Sequence, residues 1–205
     1  MKRIGIVDFT VGNIGSIFNA FSFIGCDPIL VKDKKDLEKS DLIVLPGVGS
    51  FKSGMEGLKY LNIIPELENQ IFIRKKSVLG ICLGMQLLFK SSEENEDIKG
   101  LGWIDGKIKK LDSINNNLPI PHIGWNDIVI KKTSKIFDGL AEHRDFYFVN
   151  SFHCNINDKN LVIAETEYEE VFCSAFEKEN IIGVQFHPEK SQKNGRILLK
   201  NFLSS

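Results

Sequence analysis

Cysteines are few in this sequence, and none has the spacing of a structural metal site. The 205 residues include 4 cysteines, and no Cys-x-x-Cys pair occurs among them. This excludes a zinc site built on such pairs, and the chain is too long for a small domain held together by disulfides. His122, His143 and His153 also lack a carboxylate or cysteine at ligand spacing, so we expect no metal site.

The sequence also lacks an excess of charge of either sign and any long apolar run. Lys and Arg number 26 and Asp and Glu 27, for a net charge of -1, which does not favour binding to nucleic acid or to an anionic membrane. No apolar run approaches the roughly 20 residues that cross a bilayer. The N-terminal Met1-Lys2-Arg3-Ile4 lacks a signal-peptide pattern. We therefore expect a soluble cytoplasmic protein with neither membrane nor nucleic-acid partners.

The first half of the sequence alternates between strand-like and helix-like segments. Its 42% hydrophobic content is enough for one α/β domain, which we expect to span residues 1–205. Such alternation is typical of a parallel sheet with helices on both faces. The predicted strands are residues 4–9, 29–32, 42–45 and 78–81, and the predicted helices are 13–23, 36–39, 55–75 with a break at Pro65, and 83–90.

The second half contains strand-like runs joined mostly by turns. We expect these runs to extend the same sheet in antiparallel or mixed fashion, with a closing helix over residues 194–203 and a loop at Asn115-Asn116-Asn117. The predicted fold is thus α/β, of flavodoxin-like or Rossmann-like type, with a central parallel or mixed sheet. The predicted strands of this half are residues 106–111, 128–131, 146–152, 161–165, 171–177 and 181–186.

Cys82 lies between two glycines, where a predicted strand meets a predicted helix, in the segment Gly80-Ile81-Cys82-Leu83-Gly84. Glycine permits the backbone conformations and close approach that a sharp turn requires. Such a turn presents a nucleophile at the edge of a sheet. A following helix N-terminus favours the thiolate, and its free N–H groups can hold an oxyanion. Taken alone, Cys82 is equally typical of a small buried core residue.

A histidine and a glutamate follow the last predicted strand, in the segment His187-Pro188-Glu189. Residues i and i+2 of an extended segment face the same side, so we expect these two side chains to lie side by side. A cysteine nucleophile needs a base, and the base needs a group that fixes its tautomer. Cys82, His187 and Glu189 supply these three roles and form a candidate catalytic triad.

Motifs spread over nearly the whole chain resemble those of one family. The segment Gly80 to Gln86 and the later Phe186-His187-Pro188-Glu189 resemble class I, triad-type glutamine amidotransferases. Finer motifs are similar to the glutaminase subunits of imidazole glycerol phosphate synthases. These are Pro46-Gly47-Val48-Gly49-Ser50-Phe51, Pro121-His122-Ile123-Gly124-Trp125-Asn126, Tyr147-Phe148-Val149 and His187-Pro188-Glu189-Lys190-Ser191.

The resemblance implies a glutaminase that needs no cofactor. Cys82 would attack the side-chain amide of L-glutamine, and His187 would protonate the leaving ammonia. The ammonia would pass to a synthase (cyclase) subunit that makes imidazole glycerol phosphate, a precursor of histidine. Because 205 residues leave no room for a barrel synthase domain, the two chains would form a heterodimer.

The resemblance also assigns supporting roles to individual residues. Backbone N–H groups of the 46–49 loop and of Leu83 would hold the oxyanion. The residues expected to bind substrate are Gly47, Val48, Gly49, Leu83, Gln86, Glu94, Ser151 and Phe152, and those expected to face the partner are Asn13, Trp125 and Lys190. Without the resemblance, Glu94 would be interpreted as a solvated loop residue, Trp125 as core and Lys190 as a surface charge.

Other functions remain open at this stage. Phe9-Thr10-Val11 and Asn150 depart from the usual family residues, which is compatible with a paralogue that supplies ammonia for amination or amidination of another metabolite, such as a sugar. A different Cys-His hydrolase would have no need of Gln86, Glu94 and Lys190-Ser191. A non-enzymatic binding subunit would have no need of the triad. A nucleotide-binding P-loop is excluded, because no Gly-Lys-Ser/Thr follows Gly47 and Gly49.

Overall fold

A computed structural model describes residues 1–9, 13–112, 118–140 and 144–204, and these residues form twelve strands. The first four strands confirm the predicted apolar runs, with ends shifted by one or two residues at β1 and β2. The strands are β1 Arg3–Val7, β2 Asp27–Val31, β3 Leu42–Leu45, β4 Val78–Ile81, β5 Gly106–Lys110, β6 His122–Asp127, β7 Val129–Ile130, β8 Asp145–Asn150, β9 Phe152–Ile156, β10 Val162–Tyr168, β11 Glu170–Lys178 and β12 Ile181–Val184.

The helices are short, and two of the six α-helices begin at a side chain that caps the N-terminus. The Ser50 side chain accepts a hydrogen bond from the Ser53 N–H and so starts a helix four residues before the predicted position. Pro65 lies in the first turn of the next helix, where its missing N–H costs nothing. The helices are α1 Ile14–Phe23, α2 Lys34–Lys39, α3 Phe51–Leu61, α4 Ile64–Glu68, α5 Leu83–Gln86 and α6 Gln192–Phe202, and a π-helical turn, Asn69–Ile73, follows α4.

Parallel and antiparallel strands share one central sheet. Its order is β2-β1-β3-β4-β12-β11-β10-β7, with β9 paired to β11 and β5 paired to β9. The five strands from β2 to β12 in this order are parallel to one another, and β11, which is antiparallel to β12, begins the antiparallel extension. The predicted α/β class and mixed sheet are therefore confirmed.

Helices cover both faces of the sheet, because buried strands alternate their side chains between two cores. In β3, Ile43 and Leu45 join one core while Leu42 and Val44 join the other. The first core contains residues of α2, α3 and α4, and the second contains residues of α1 and α6. A continuous apolar strand is the expected signature of a parallel sheet buried on both sides.

The second half departs from the sequence prediction at two places. The predicted strand 146–152 is two strands, because β8 ends at Asn150 and pairs with β6 while β9 begins at Phe152 and joins the main sheet. Strand β6 was missed, because Gly124 and polar residues interrupt its apolar pattern. Both findings show a separate two-stranded sheet, β6–β8. The predicted loop at residues 115–117 lies outside the described residues.

Among the helices of the described segments, none has both the length and the apolar character needed to cross a membrane.

Gly84 lets α5 pack directly against the end of β3. A Cβ atom on Gly84 would lie 1.7 Å from the carbonyl oxygen of Leu45, so the helix and the strand would have to separate. We predict that Gly84→Ala lowers the free energy of unfolding by about 3 kcal/mol, because overpacking distorts a buried junction. Chemical denaturation measures this loss.

Gly15 provides the matched control, since a Cβ atom there meets nothing within 4 Å. Gly15→Ala in α1 should leave stability unchanged or raise it by up to about 1 kcal/mol. Equal stabilities for the two variants would contradict the packing described here.

Candidate active site

Three neighbouring parallel strands bring the candidate residues together. Strands β3, β4 and β12 are adjacent in the sheet, with Leu45 beside Gly80 and Ile81 beside Val184. Their carboxyl ends therefore lie at one edge. The 46–49 loop follows β3, Cys82 follows β4, and His187 follows β12 closely. This edge is where ligands bind in open α/β sheets.

Cys82 occupies a strained turn between β4 and α5. Its backbone angles are φ 51° and ψ −110°, a positive φ that is uncommon for a residue other than glycine. The Cys82 N–H donates to the Val184 carbonyl at 2.8 Å, which ties the turn to β12. Helix α5 ends at Gln86 rather than at the predicted residue 90, so the turn is followed by only a short helix.

His187 and Glu189 form a buried hydrogen-bonded pair. His187 Nδ1 lies 2.8 Å from Glu189 Oε1, and the two side chains are 1% and 0% exposed. The sequence pattern predicted that alternation along an extended segment would bring these two side chains together, and that explanation is wrong. Strand β12 ends at Val184, and residues Pro188–Lys190 form a 3-10 turn that folds Glu189 back onto the imidazole.

The environment of His187 favours its protonated form. Burial disfavours the imidazolium, but the neighbouring Cys82 sulfur and the Glu189 carboxylate outweigh burial and raise the pKa of His187 to about 10. No hydrogen bond of normal geometry reaches the buried His187 Nε2 from the described residues.

Two other groups contact the sulfur. The Val149 carbonyl lies 3.9 Å from Cys82 Sγ, and Gln185 Nε2 lies 3.6 Å from it. Neither contact was anticipated from the sequence. Gln185 is two residues before His187 on the same segment, and this proximity is the signal that would have pointed to it.

A cavity of about 370 Å³ opens beside Cys82. Its wall includes most of the predicted substrate-binding residues, namely Val48, Gly49, Leu83, Gln86, Glu94, Ser151 and Phe152, together with Lys190. A larger cavity, of about 500 Å³, lies near Ser77 and Asn180 at the amino ends of β4 and β12. We assign the candidate site to the smaller cavity, because Cys82 lines it.

Gly47, the remaining predicted substrate residue, is absent from the cavity wall. Its carbonyl oxygen accepts a hydrogen bond of 3.3 Å from the Leu83 N–H, which is one of the predicted oxyanion donors. In this arrangement the Leu83 N–H points at a protein oxygen rather than at a substrate. Gly49, two residues on, has φ 125°, a conformation that leaves this loop dependent on glycine.

Gln86 and Glu94 are partly engaged within the protein. Gln86 Nε2 donates to the Phe152 carbonyl and to Gln185 Oε1, both at 3.1 Å. Both amide hydrogens of Gln86 are thus used, and only its carbonyl oxygen can accept a hydrogen bond from a substrate. Glu94 Oε2 accepts from the Phe51 N–H at 2.7 Å, at the beginning of α3.

The residues expected to face a partner divide into two groups. Trp125 is 45% exposed, with its ring 6.1 Å from the Tyr147 ring, and Lys190 Nζ lies 5.5 Å from the centre of the same tyrosine ring. Asn13 behaves differently, because its side-chain amide donates to Glu189 Oε1. The structure thus places Asn13 directly on the triad carboxylate.

Comparisons with known proteins define the family. A family model described as Glutamine amidotransferase class-I matches residues 5–205. The chain is 46% identical to imidazole glycerol phosphate synthase subunit HisH 2 of Methanococcus maripaludis, over 98% of each chain. It is 47% identical to subunit HisH of Pyrococcus furiosus, again over 98% of each. The chain belongs to the class I glutamine amidotransferase family.

Solved structures agree with the fold. A crystal structure of a glutamine amidotransferase matches with a TM-score of 0.77 at 17% identity, covering 98% of this chain and 97% of the other. A structure of PurLQS from Thermotoga maritima matches with a TM-score of 0.74 at 20% identity, covering 99% and 98%. At these identities the likeness concerns the fold alone.

The charge on His187 leads to a measurable titration. Since its folded pKa is raised above 6.5, the stability that its protonation contributes is complete below about pH 6.5 and is lost as pH rises through about 10. We predict that the His187 ring titrates near pH 10 in an NMR experiment with labelled histidine. Cys82→Ser should lower this pKa, because the sulfur that stabilises the imidazolium is gone.

His122 is the internal control, since burial lowers its pKa to about 4 and it should titrate identically in both proteins. A His187 pKa that is unchanged in Cys82→Ser would show that the two side chains do not interact.

Proposed function

We propose that this chain is the glutamine-hydrolysing subunit of an imidazole glycerol phosphate synthase. The observation that carries the proposal is the cavity beside Cys82, His187 and Glu189, in a chain 42–47% identical to relatives that bear this subunit's name over nearly their whole length. The proposal takes the whole chain as one amidotransferase domain, in line with the family match over residues 5–205.

The chemistry begins at the sulfur. In the proposed reaction the Cys82 thiolate attacks the side-chain amide carbon of L-glutamine and forms a tetrahedral oxyanion. The carbon–nitrogen bond then breaks, and His187 gives its proton to the leaving ammonia. Water attacks the resulting thioester with His187 as base, and glutamate leaves as the thiolate re-forms. Glu189 acts through His187 by holding its Nδ1–H, and Asn13 in turn holds Glu189.

The cavity wall suits one end of the substrate. The Glu94 carboxylate can pair with the α-ammonium group of glutamine, and the Gln86 carbonyl oxygen can accept from an ammonium or amide N–H. Ser151 and Phe152, where β9 begins, line the same cavity. The substrate amide would then point toward Cys82.

Stabilisation of the oxyanion requires a change in the 46–49 loop. The Leu83 N–H has to leave the Gly47 carbonyl before it can donate to the oxyanion. Reorientation of a peptide in this loop, next to Gly49, would free that donor. We therefore propose that the isolated chain hydrolyses glutamine slowly and that binding of the synthase subunit favours the competent loop.

The surface formed by Trp125, Tyr147 and Lys190, hereafter the docking surface, is the proposed contact with the synthase subunit in a heterodimer. It is connected to the triad through the backbone. The His187 N–H donates to the Tyr147 carbonyl at 2.8 Å, and the Tyr147 N–H donates to Ser191 Oγ at 3.0 Å. Lys190 belongs to both the docking surface and the cavity wall. Movement of Tyr147 or Lys190 on binding of the synthase subunit would therefore change the position of His187 or the shape of the cavity.

We propose a cytoplasmic location for the chain. Its four cysteines are free and buried, as is usual in a reducing compartment.

Genetic complementation tests the proposed function. We predict that the chain, produced with its synthase subunit, restores growth to a histidine auxotroph that lacks this glutaminase, and that Cys82→Ser does not. The purified Cys82→Ser complex should still make imidazole glycerol phosphate from ammonium, because the synthase reaction uses free ammonia.

The alternatives give different outcomes. Loss of both the glutamine-dependent and the ammonium-dependent activities in Cys82→Ser would contradict the proposed division of labour. Glutamine hydrolysis without complementation would instead indicate another acceptor, such as a sugar metabolite.

Trp125→Ala tests the docking surface. Exposed tryptophans at the centre of interfaces commonly contribute 2 kcal/mol or more to binding, so we predict that about 10- to 100-fold more synthase subunit is needed to stimulate glutamate release. Titration of glutamate release against the synthase subunit measures this shift.

Tyr60 on α3 is 87% exposed and supplies a matched aromatic truncation away from the docking surface. Tyr60→Ala should leave the titration unchanged. An unaltered titration for Trp125→Ala would exclude this surface as the synthase contact.

A further inference from the structure

Gln185 is a buried polar residue that the triad chemistry does not use. Its side chain is 0% exposed, directly after β12 and two residues before His187. Its amide contacts two residues of the candidate site, Cys82 on one side and Gln86 on the other. A buried amide must have hydrogen-bond partners, so the orientation of the Gln185 amide determines whether the sulfur faces a donor or an acceptor.

The orientation of the Gln185 amide follows from a backbone group. The Phe152 carbonyl can only accept, so the Gln86 group 3.1 Å away must be the Nε2 donor. The same Nε2 lies 3.1 Å from Gln185, which must therefore present its oxygen to Gln86. The remaining Gln185 group, Nε2, then faces Cys82 Sγ at 3.6 Å. An N–H donor is thus aimed at the sulfur.

We propose that Gln185 is a positioning residue, which donates a hydrogen bond to the Cys82 sulfur and holds it at the head of an amide chain ending at Phe152. This inference rests on the proposed function, in which Cys82 is the nucleophile. A thiolate accepts such a bond more strongly than a thiol, because hydrogen bonds to ionised groups are the stronger ones.

The chain of amides also connects the sulfur to the substrate wall. Phe152 begins β9 and lines the cavity, and the Asn150 side-chain amide donates to the same Phe152 carbonyl at 3.1 Å. If β9 moved, the hydrogen bonds through Gln86 and Gln185 would move the Cys82 sulfur with it. Gln185 would thereby keep the sulfur at a constant position relative to the cavity wall that contacts the substrate.

The test is the pH profile of alkylation of Cys82 by iodoacetamide, followed by mass spectrometry of the peptide that contains it. In Gln185→Met the N–H donor is replaced by a group of similar size, and we expect the midpoint of the profile to move up by about one pH unit. At a pH above both midpoints, the two proteins should be alkylated at similar rates. A merely structural role for Gln185 would lower or raise the rate at every pH without moving the midpoint.

Two further variants keep the result unambiguous. Gln185→Glu is isosteric and places a carboxylate near the sulfur, so the midpoint of its alkylation profile should also move up. This variant supplies the test if the methionine variant does not fold. Gln70 is also buried and donates to Glu66 far from Cys82, so Gln70→Met should leave the profile unchanged. Unchanged midpoints in both Gln185 variants would overturn the proposal.

Alkylation requires neither glutamine nor the synthase subunit. A shifted midpoint in a protein that never releases glutamate would leave the Gln185 contact intact and reject the proposed function. Glutamate release by the complex, with an unshifted midpoint, would do the reverse.

Discussion

Parallel hydrogen bonds between β4 and β12 join two segments that are far apart in the sequence, and the site depends on that pairing. The Cys82 N–H continues the ladder by donating to Val184 at 2.8 Å. Everything beyond Val184 on one strand and beyond Ile81 on the other then emerges at the same edge. A slip of one residue would turn Cys82 or the following segment to the other face, because side chains alternate along a strand.

The polar groups around the sulfur are mostly already paired with one another. Glu189 is held by His187 and Asn13, and Gln86 is held by Phe152 and Gln185. Buried networks of this kind fix geometry, since each member loses a partner if another moves. The buried His187 Nε2 has no hydrogen-bond partner among the described residues. The Leu83 N–H is paired with the Gly47 carbonyl and is therefore not open to the cavity. The site thus combines a fixed nucleophile with an oxyanion donor that requires a change in a glycine-containing loop.

The sequence predicted those parts of the fold that depend on local pattern. Strand β3 is an apolar run between Asp41 and Pro46, and strand β4 is an apolar run between Ser77 and Cys82. The limits of both were predicted correctly. The turn at Cys82 was expected from its flanking glycines. Strand β6 was missed because Gly124 and Asn126 hide a pattern in which His122 is buried and Trp125 is exposed. The break between β8 and β9 was missed because apolar residues occur on both sides of Ser151. The break exists because β8 and β9 belong to two separate sheets.

The unpredicted parts of the site depend on tertiary contacts. No local pattern indicates that Asn13 reaches Glu189, or that the Leu83 N–H is paired with Gly47. The contact of Gln185 with the sulfur likewise requires β12 to lie beside β4.

The most direct measurement is mass spectrometry of the synthase complex, quenched in acid during turnover of glutamine. The account predicts a glutamyl thioester on the peptide that contains Cys82, and no adduct in the Cys82→Ser complex. Turnover of glutamine without that adduct, or with an adduct on another residue, would contradict the assignment of Cys82 as the nucleophile.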